Sequence, residues 1–118
     1  GIDDFQRHGI EVHVSTDDGT SGHAGFVTEL LEQVLDEVTA PCHVVCCGPE
    51  PMMASVAAIA ACRGVPCQVS LETPMACGLG ICFSCVARVR EASGEWDYRR
   101  TCVEGPVFDA AKIDFAAN

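Results

Sequence analysis

Ile10, Val12 and Val14 alternate with Glu11, His13 and Ser15, the period of two that marks a strand with one covered face. The turn-rich Thr16-Asp17-Asp18-Gly19-Thr20-Ser21-Gly22 ends it. Phe26, Val27, Leu30, Leu31, Val34, Leu35 and Val38 then recur at helical spacing, which predicts an amphipathic helix from Ala24 to Val38 with Pro41 as its stop. The continuous apolar run from His43 to Cys47 predicts a strand buried on both faces, as in a parallel sheet. Gly48-Pro49-Glu50-Pro51 turns the chain into an alanine-rich helix from Met52 to Arg63, closed by Gly64 and Pro66, and Cys67 to Leu71 forms the next strand. Elements in the order β-α-β-α-β predict parallel pairing through right-handed crossovers.

After Glu72 the pattern changes. Val86-Ala87-Arg88-Val89-Arg90 alternates as a strand, Ser93-Gly94 supplies a turn, and a second short strand runs from near Trp96 to Cys102. A boundary is expected near Thr73-Pro74, giving an α/β unit over residues 1–73 and a small β-hairpin unit over 74–118. No internal repeat or low-complexity segment interrupts either.

The hairpin would bring Cys102 back beside Cys85, and these two cysteines belong to a larger frame. Cys77, Cys82, Cys85 and Cys102 follow C-x4-C-x2-C with a distant fourth cysteine, the plant-type spacing for a [2Fe-2S] cluster. Thiolates converging on so small a core need a tightly folded backbone, and Gly78 and Gly80 permit the positive φ angles that this requires. Amide N–H groups in such a loop can point at sulfur and tune the potential. Structural zinc prefers paired short knuckles, and only Cys82 and Cys85 make one. A disulfide framework fits poorly with an odd total of nine cysteines. Cys42, Cys46, Cys47, Cys62 and Cys67 lie in apolar runs and are expected mostly as small core residues in a reducing compartment. His8, His13, His23 and His43 lack metal-site spacing and are expected to be structural or exposed.

Composition narrows the partners. A chain of 118 residues with 48% hydrophobic content can build one ordinary core or two small units. Its formal net charge of -10 argues against nucleic acid, whose phosphates need a basic partner surface. No apolar run is long enough to span a bilayer. The opening from Gly1 to Gly9 carries no targeting pattern and reads as cut from something longer, so a soluble cytoplasmic protein is expected.

Five stretches spread over nearly the whole chain carry a resemblance: Glu11 to Gly19, Cys47-Gly48-Pro49-Glu50-Pro51-Met52-Met53, Cys67 to Glu72, Met75 to Cys82, and Cys102-Val103-Glu104-Gly105-Pro106-Val107-Phe108-Asp109. In these the chain resembles the electron transfer subunits of NAD-dependent, class B dihydroorotate dehydrogenases, which are ferredoxin reductase-like iron–sulfur flavoproteins. The resemblance implies that residues 1–73 are part of a reductase-like NAD-binding domain and that residues 74–118 bind the cluster. It implies Cys77, Cys82, Cys85 and Cys102 as iron ligands, with Thr16, Asp17, Cys47, Gly48 and Pro49 on loops near the dinucleotide. It further implies an oxidoreductase role in pyrimidine synthesis, in which electrons pass from a catalytic flavoprotein subunit through a [2Fe-2S] cluster and FAD to NAD. The family's FAD-binding barrel and glycine-rich first nucleotide turn have no counterpart here, so FAD is expected only in a full-length subunit, and this stretch alone is expected to be inactive. The alternative is the related subunit of flavin-based bifurcating transhydrogenases or sulfhydrogenases, many of which carry aspartate where this chain has Cys77.

Overall fold

The glycine, proline and apolar punctuation of residues 41–118 produces a three-stranded sheet with a helix, and a separate two-stranded hairpin. The computed structural model describes residues 1–116; Ala117 and Asn118, the end of the expected second domain, lie outside the described residues. The chain packs as two compact units, residues 1–40 and 41–118.

In the first unit, helix α1 (Ile2–Arg7) places Asp3 and Asp4 in its first turn and Arg7 in its last, complementing the helix dipole. Strands β1 (Ser15–Thr16) and β2 (His23–Ala24) pair in parallel, in the register Ser15 with His23 and Thr16 with Ala24. The strand expected over Ile10–Ser15 is thus reduced to its last residue and Thr16. Residues 10–14 add one backbone bond at the edge of this ladder, His23 N–H to the Val14 carbonyl at 2.7 Å. Alternation gives a segment two faces, but a strand also needs a neighbour along its length. Helix α2 (Val27–Glu37) starts three residues later than the spacing suggests, because Ala24 is taken by β2 and Phe26 is the extended N-cap. Its Leu30, Leu31, Val34 and Leu35 are half-buried and its Glu29, Glu32, Gln33, Asp36 and Glu37 are exposed, but no residue of this unit is fully buried.

The second unit holds the core. Strand β3 (Val44–Cys47) pairs in parallel with β4 (Cys67–Ser70). On its other side β4 pairs antiparallel with β7 (Val107–Asp109), giving the order β3-β4-β7. Helix α3 (Glu50–Arg63) joins β3 to β4, with Pro51 in its first turn and Gly64 closing it at φ 64°. Met53, Val56 and Ala60 form its buried stripe, at i, i+3 and i+7. Cys67, Val69 and Leu71 are buried along β4, with Cys46 on β3 and Ala110 and Ile113 after β7. Strands β5 (Val86–Arg90) and β6 (Trp96–Arg100) make an antiparallel hairpin from Val86–Arg100 to Arg90–Trp96.

Two expectations are corrected. The run from His43 to Cys47 is not buried on both faces: Cys46 is covered, but Val45 is 66% exposed and Cys47 is also exposed. β3 is an edge strand with a helix over one face, and apolar composition cannot distinguish that from a strand covered twice. Nor are the remaining cysteines mostly filler, since Cys46 and Cys67 are buried but Cys47 and Cys62 are in solvent. β7 was not expected; it comes from beyond Thr73-Pro74 and completes the sheet on β4, so residues on both sides of that position share one sheet.

Val69 is fully buried at the centre of the sheet. Val69→Ala is expected to lower unfolding free energy by about 2 kcal/mol, whereas Val45→Ala should change it by no more than about 0.5 kcal/mol. Denaturant titration checks this, and similar losses from both would contradict the assigned faces.

Candidate metal centre

The loop between β4 and β5 carries three of the four framed cysteines, and the turn after β6 carries the fourth. Gly78 and Gly80 have φ of 64° and 74°, a left-handed conformation that side chains disfavour. At Gly80 a Cβ would also sit 2.7 Å from Val103 Cγ2, so the loop approaches the turn that holds Cys102 more closely than alanine permits.

The thiols lie in two pairs. Cys85 and Cys102 bring their sulfurs to 2.9 Å, Cys85 being buried at the start of the hairpin. The Leu79 N–H points at the Cys77 sulfur from 3.4 Å, and the Cys82 N–H and thiol act on the same sulfur to lower its pKa. Charge on Cys77 is felt at Cys102 and helps to raise its thiol. Among the described residues no group of three or more His, Cys, Asp and Glu side chains is arranged to hold a metal ion.

Hydrogen bonding sorts these thiols by acidity. The Cys82 N–H, followed by the Leu79 N–H and the Cys82 thiol, brings Cys77 down to about 6. The Cys102 thiol holds Cys85 below the ordinary thiol range, and the same contact pushes Cys102 above it. Burial pushes the thiols of Cys46 and Cys67 up, as suits inert core residues. Four thiols, one of them with the Leu79 N–H aimed at its sulfur, are soft donors whose chemistry fits an iron–sulfur group.

Several supporting residues carry no motif. Thr101 is buried and donates both its N–H (2.8 Å) and its hydroxyl (3.2 Å) to the Cys85 carbonyl, and its Oγ1 is hydrogen-bonded to that of Thr73. This joins β6 to the start of β5 between Cys85 and Cys102. Arg99 is held by Glu91 and Glu104, which raises its pKa further. The Glu104 carboxyl is lowered, first by the Arg100 N–H that it accepts and then by Arg99. Of Glu91, Arg99 and Glu104 only the charge signs were visible in the sequence.

The residues expected near a dinucleotide fall in different units. In residues 1–40, Thr16 Oγ1 donates to the Ser21 carbonyl at 3.0 Å and accepts the Ser21 N–H at 3.3 Å, with Asp17 exposed beside it. The neighbouring Asp18 accepts the N–H and hydroxyl of Thr20, which lowers its carboxyl. In residues 41–118, Cys47, Gly48 and Pro49 connect β3 to α3. Gly48 and Pro49 line a cleft of about 560 Å³ with Glu50, Met53, Leu71 and Glu72. It opens at the C-terminal ends of two parallel strands, where open α/β sheets take ligands.

Comparison with known proteins adds to this geometry. Residues 72–114, which contain all four framed cysteines, match the family described as the iron–sulfur cluster binding domain of dihydroorotate dehydrogenase B. The chain is 41% identical over 114 residues to the dihydroorotate dehydrogenase B (NAD(+)) electron transfer subunit of Caldanaerobacter subterraneus subsp. tengcongensis, a match covering 97% of this chain and 44% of the relative. The subunit of the same name from Clostridium perfringens is 38% identical, covering 97% and 42%. A probable subunit of this kind from Methanopyrus kandleri is 42% identical, covering 95% and 39%. The chain thus spans less than half the length of these curated relatives. Among solved structures, one reported for the NADH-dependent reduced ferredoxin-NADP oxidoreductase, in work on flavin-based electron bifurcation, aligns over 99% of this chain and 40% of its own, with a TM-score of 0.74 and 29% identity.

The lowered pKa of Cys77 has a measurable sign. In the metal-free chain its alkylation rate should rise with a midpoint near pH 6, so Cys77 should be substantially ionised at pH 7. A folded value depressed below the ordinary thiol value stabilises the native state above that value, and the contribution is lost as pH falls toward about 6. Mass spectrometry of alkylated peptides across pH checks this; a midpoint near the ordinary thiol value of about 8.5 would contradict the N–H donation described.

Proposed function

We propose that this chain, which belongs to the family of dihydroorotate dehydrogenase B electron transfer subunits, holds a [2Fe-2S] cluster through Cys77, Cys82, Cys85 and Cys102. The observation that carries this reading is the contact of the Cys85 and Cys102 sulfurs at 2.9 Å, which joins the ligand loop to the turn after the hairpin, with Cys82 acting on the Cys77 thiol in the same loop. A dinuclear centre divides four thiolates between two irons, whereas one zinc ion gathers them around a single point. Such a cluster accepts and releases one electron at a time. The chain's own part is to keep thiolates in place, supply N–H donors such as that of Leu79, and leave an approach for a partner.

In the full-length protein we assign residues 1–73 to a reductase-like dinucleotide part and residues 74–118 to the cluster-binding part. Electrons would pass from a catalytic flavoprotein subunit that oxidises dihydroorotate, through this centre and FAD, to NAD. Thr16, Asp17, Cys47, Gly48 and Pro49 are the proposed residues on the NAD side. Met75, Leu79, Ile81 and Phe83 in the ligand loop are each at least 65% exposed, an apolar surface suited to a partner that must come close for electrons to cross. No described helix is long and apolar enough to cross a membrane, and we place the protein in the cytoplasm, where its thiols stay reduced. The bifurcating-enzyme alternative has support in the aligned structure at 29% identity, but the 37–42% identical relatives carry the dihydroorotate dehydrogenase name.

In the full-length subunit, Cys102→Ser should strip or weaken the cluster, and Cys62→Ser should leave it intact. With the catalytic subunit, dihydroorotate-dependent NADH formation should fall by more than the roughly 10-fold to 100-fold typical of losing a group that merely supports a metal ligand. Equal iron loss from both variants would undo the ligand assignment. An inactive unsubstituted pair would undo the proposed reaction.

A further inference from the structure

Arg100 ends β6, two residues before Cys102, and its side chain turns back across the ligand loop. Its Nη1 donates to the Gly80 carbonyl at 2.6 Å, and its guanidinium lies 5.0 Å from the centre of the Phe83 ring. Gly80 lies between Cys77 and Cys82, and Phe83 between Cys82 and Cys85. One side chain therefore grips the loop on both sides of Cys82. The backbone of the same residue builds the turn that carries Cys102: its carbonyl accepts the N–H groups of Val103 (3.1 Å) and Glu104 (2.8 Å), and its own N–H goes to Glu104 Oε2 (2.9 Å). Val103, packed against Gly80, closes the same junction from the other side.

The neighbouring Arg99 provides a contrast. Two carboxylates, Glu91 and Glu104, hold its guanidinium, so its charge is locally balanced. The contacts of the Arg100 guanidinium are a carbonyl and an aromatic face, with Glu104 taking the backbone N–H. Among the described residues no carboxylate oxygen bonds its guanidinium, so its charge, which also acts on Glu104, is less directly balanced than that of Arg99, in a chain whose formal net charge is -10.

We propose that Arg100 is a positioning residue that clamps the Cys77–Cys85 loop onto the strand leading to Cys102 and whose positive charge favours the reduced state of the centre held there. The clamp fixes the two thiol pairs relative to each other. An added electron makes an iron–sulfur centre more negative, and a nearby cation stabilises that form and raises the potential. Arginine suits both tasks, since a planar fork can donate to a carbonyl while lying over a ring, which an ammonium group does less well.

This inference rests on the cluster reading, and the test separates the two. Full-length protein, unsubstituted and as Arg100→Gln, Arg100→Lys and Arg99→Gln, is reconstituted anaerobically with iron and sulfide. It is then followed by redox titration with EPR detection and by bleaching in a chelator. Arg100→Gln should have a lower midpoint potential and bleach several-fold faster. Arg100→Lys should recover the potential but bleach at an intermediate rate, and Arg99→Gln should shift the potential much less than Arg100→Gln. If Arg100→Gln takes up no cluster while its circular dichroism is unchanged, uptake by Arg100→Lys supports the proposal and failure of both overturns it. Unchanged potential and bleaching in Arg100→Gln, or equal potential shifts from Arg99→Gln and Arg100→Gln, also overturn it. Failure of the unsubstituted protein to take up iron and sulfide would instead overturn the cluster reading.

Discussion

Ionised sulfurs repel one another, and a chain that brings the Cys85 and Cys102 sulfurs to 2.9 Å must hold them against that repulsion. Residues 72–114 meet this constraint with backbone. The Cys82 N–H and the Leu79 N–H, the latter 3.4 Å from the sulfur, bring the half-buried Cys77 thiol down to about 6. Cys85 and Cys102 reduce their repulsion by sharing a hydrogen bond, one thiol becoming more acidic and the other less so. The left-handed turns at Gly78 and Gly80 let the loop fold tightly enough for both arrangements.

The rest of this unit braces that loop. The β5–β6 hairpin brings the fourth cysteine back, and Thr101 ties the strand before it to the Cys85 carbonyl. β7 then returns to β4, so the segment after Cys102 is anchored in the same sheet whose end launches the ligand loop. Both ends of the candidate centre are thereby fixed to Val69 and the buried stripe of α3. A loop rich in exposed apolar residues can stay ordered at the surface because its two ends are held in this way.

Much of this was legible in the amino-acid sequence, and the reasons are local. The cysteine frame, the two glycines, the proline and glycine ends of α3, and the alternation of Val86 to Arg90 each act over a few residues. The poorly legible parts depend on distant neighbours. Residues 10–14 have the alternation of a strand but only a two-residue ladder forms next to them. Val107-Phe108-Asp109 is too short to announce a strand and becomes one because β4 offers an edge. Val45 and Cys47 look like core by composition, yet β3 has only one covered face. The same holds at the candidate site: spacing points to the thiols, but the carbonyl contacts of Thr101 and Arg100 depend on how the hairpin closes.

The proposed role depends first on which inorganic group the four thiols hold. Anaerobic reconstitution followed by iron, zinc and acid-labile sulfide analysis, with EPR of the reduced protein, measures that directly. A [2Fe-2S] centre predicts a red-brown protein with about two irons and two sulfides per chain and a signal that appears on one-electron reduction. A colourless protein that takes up stoichiometric zinc and no sulfide would contradict it.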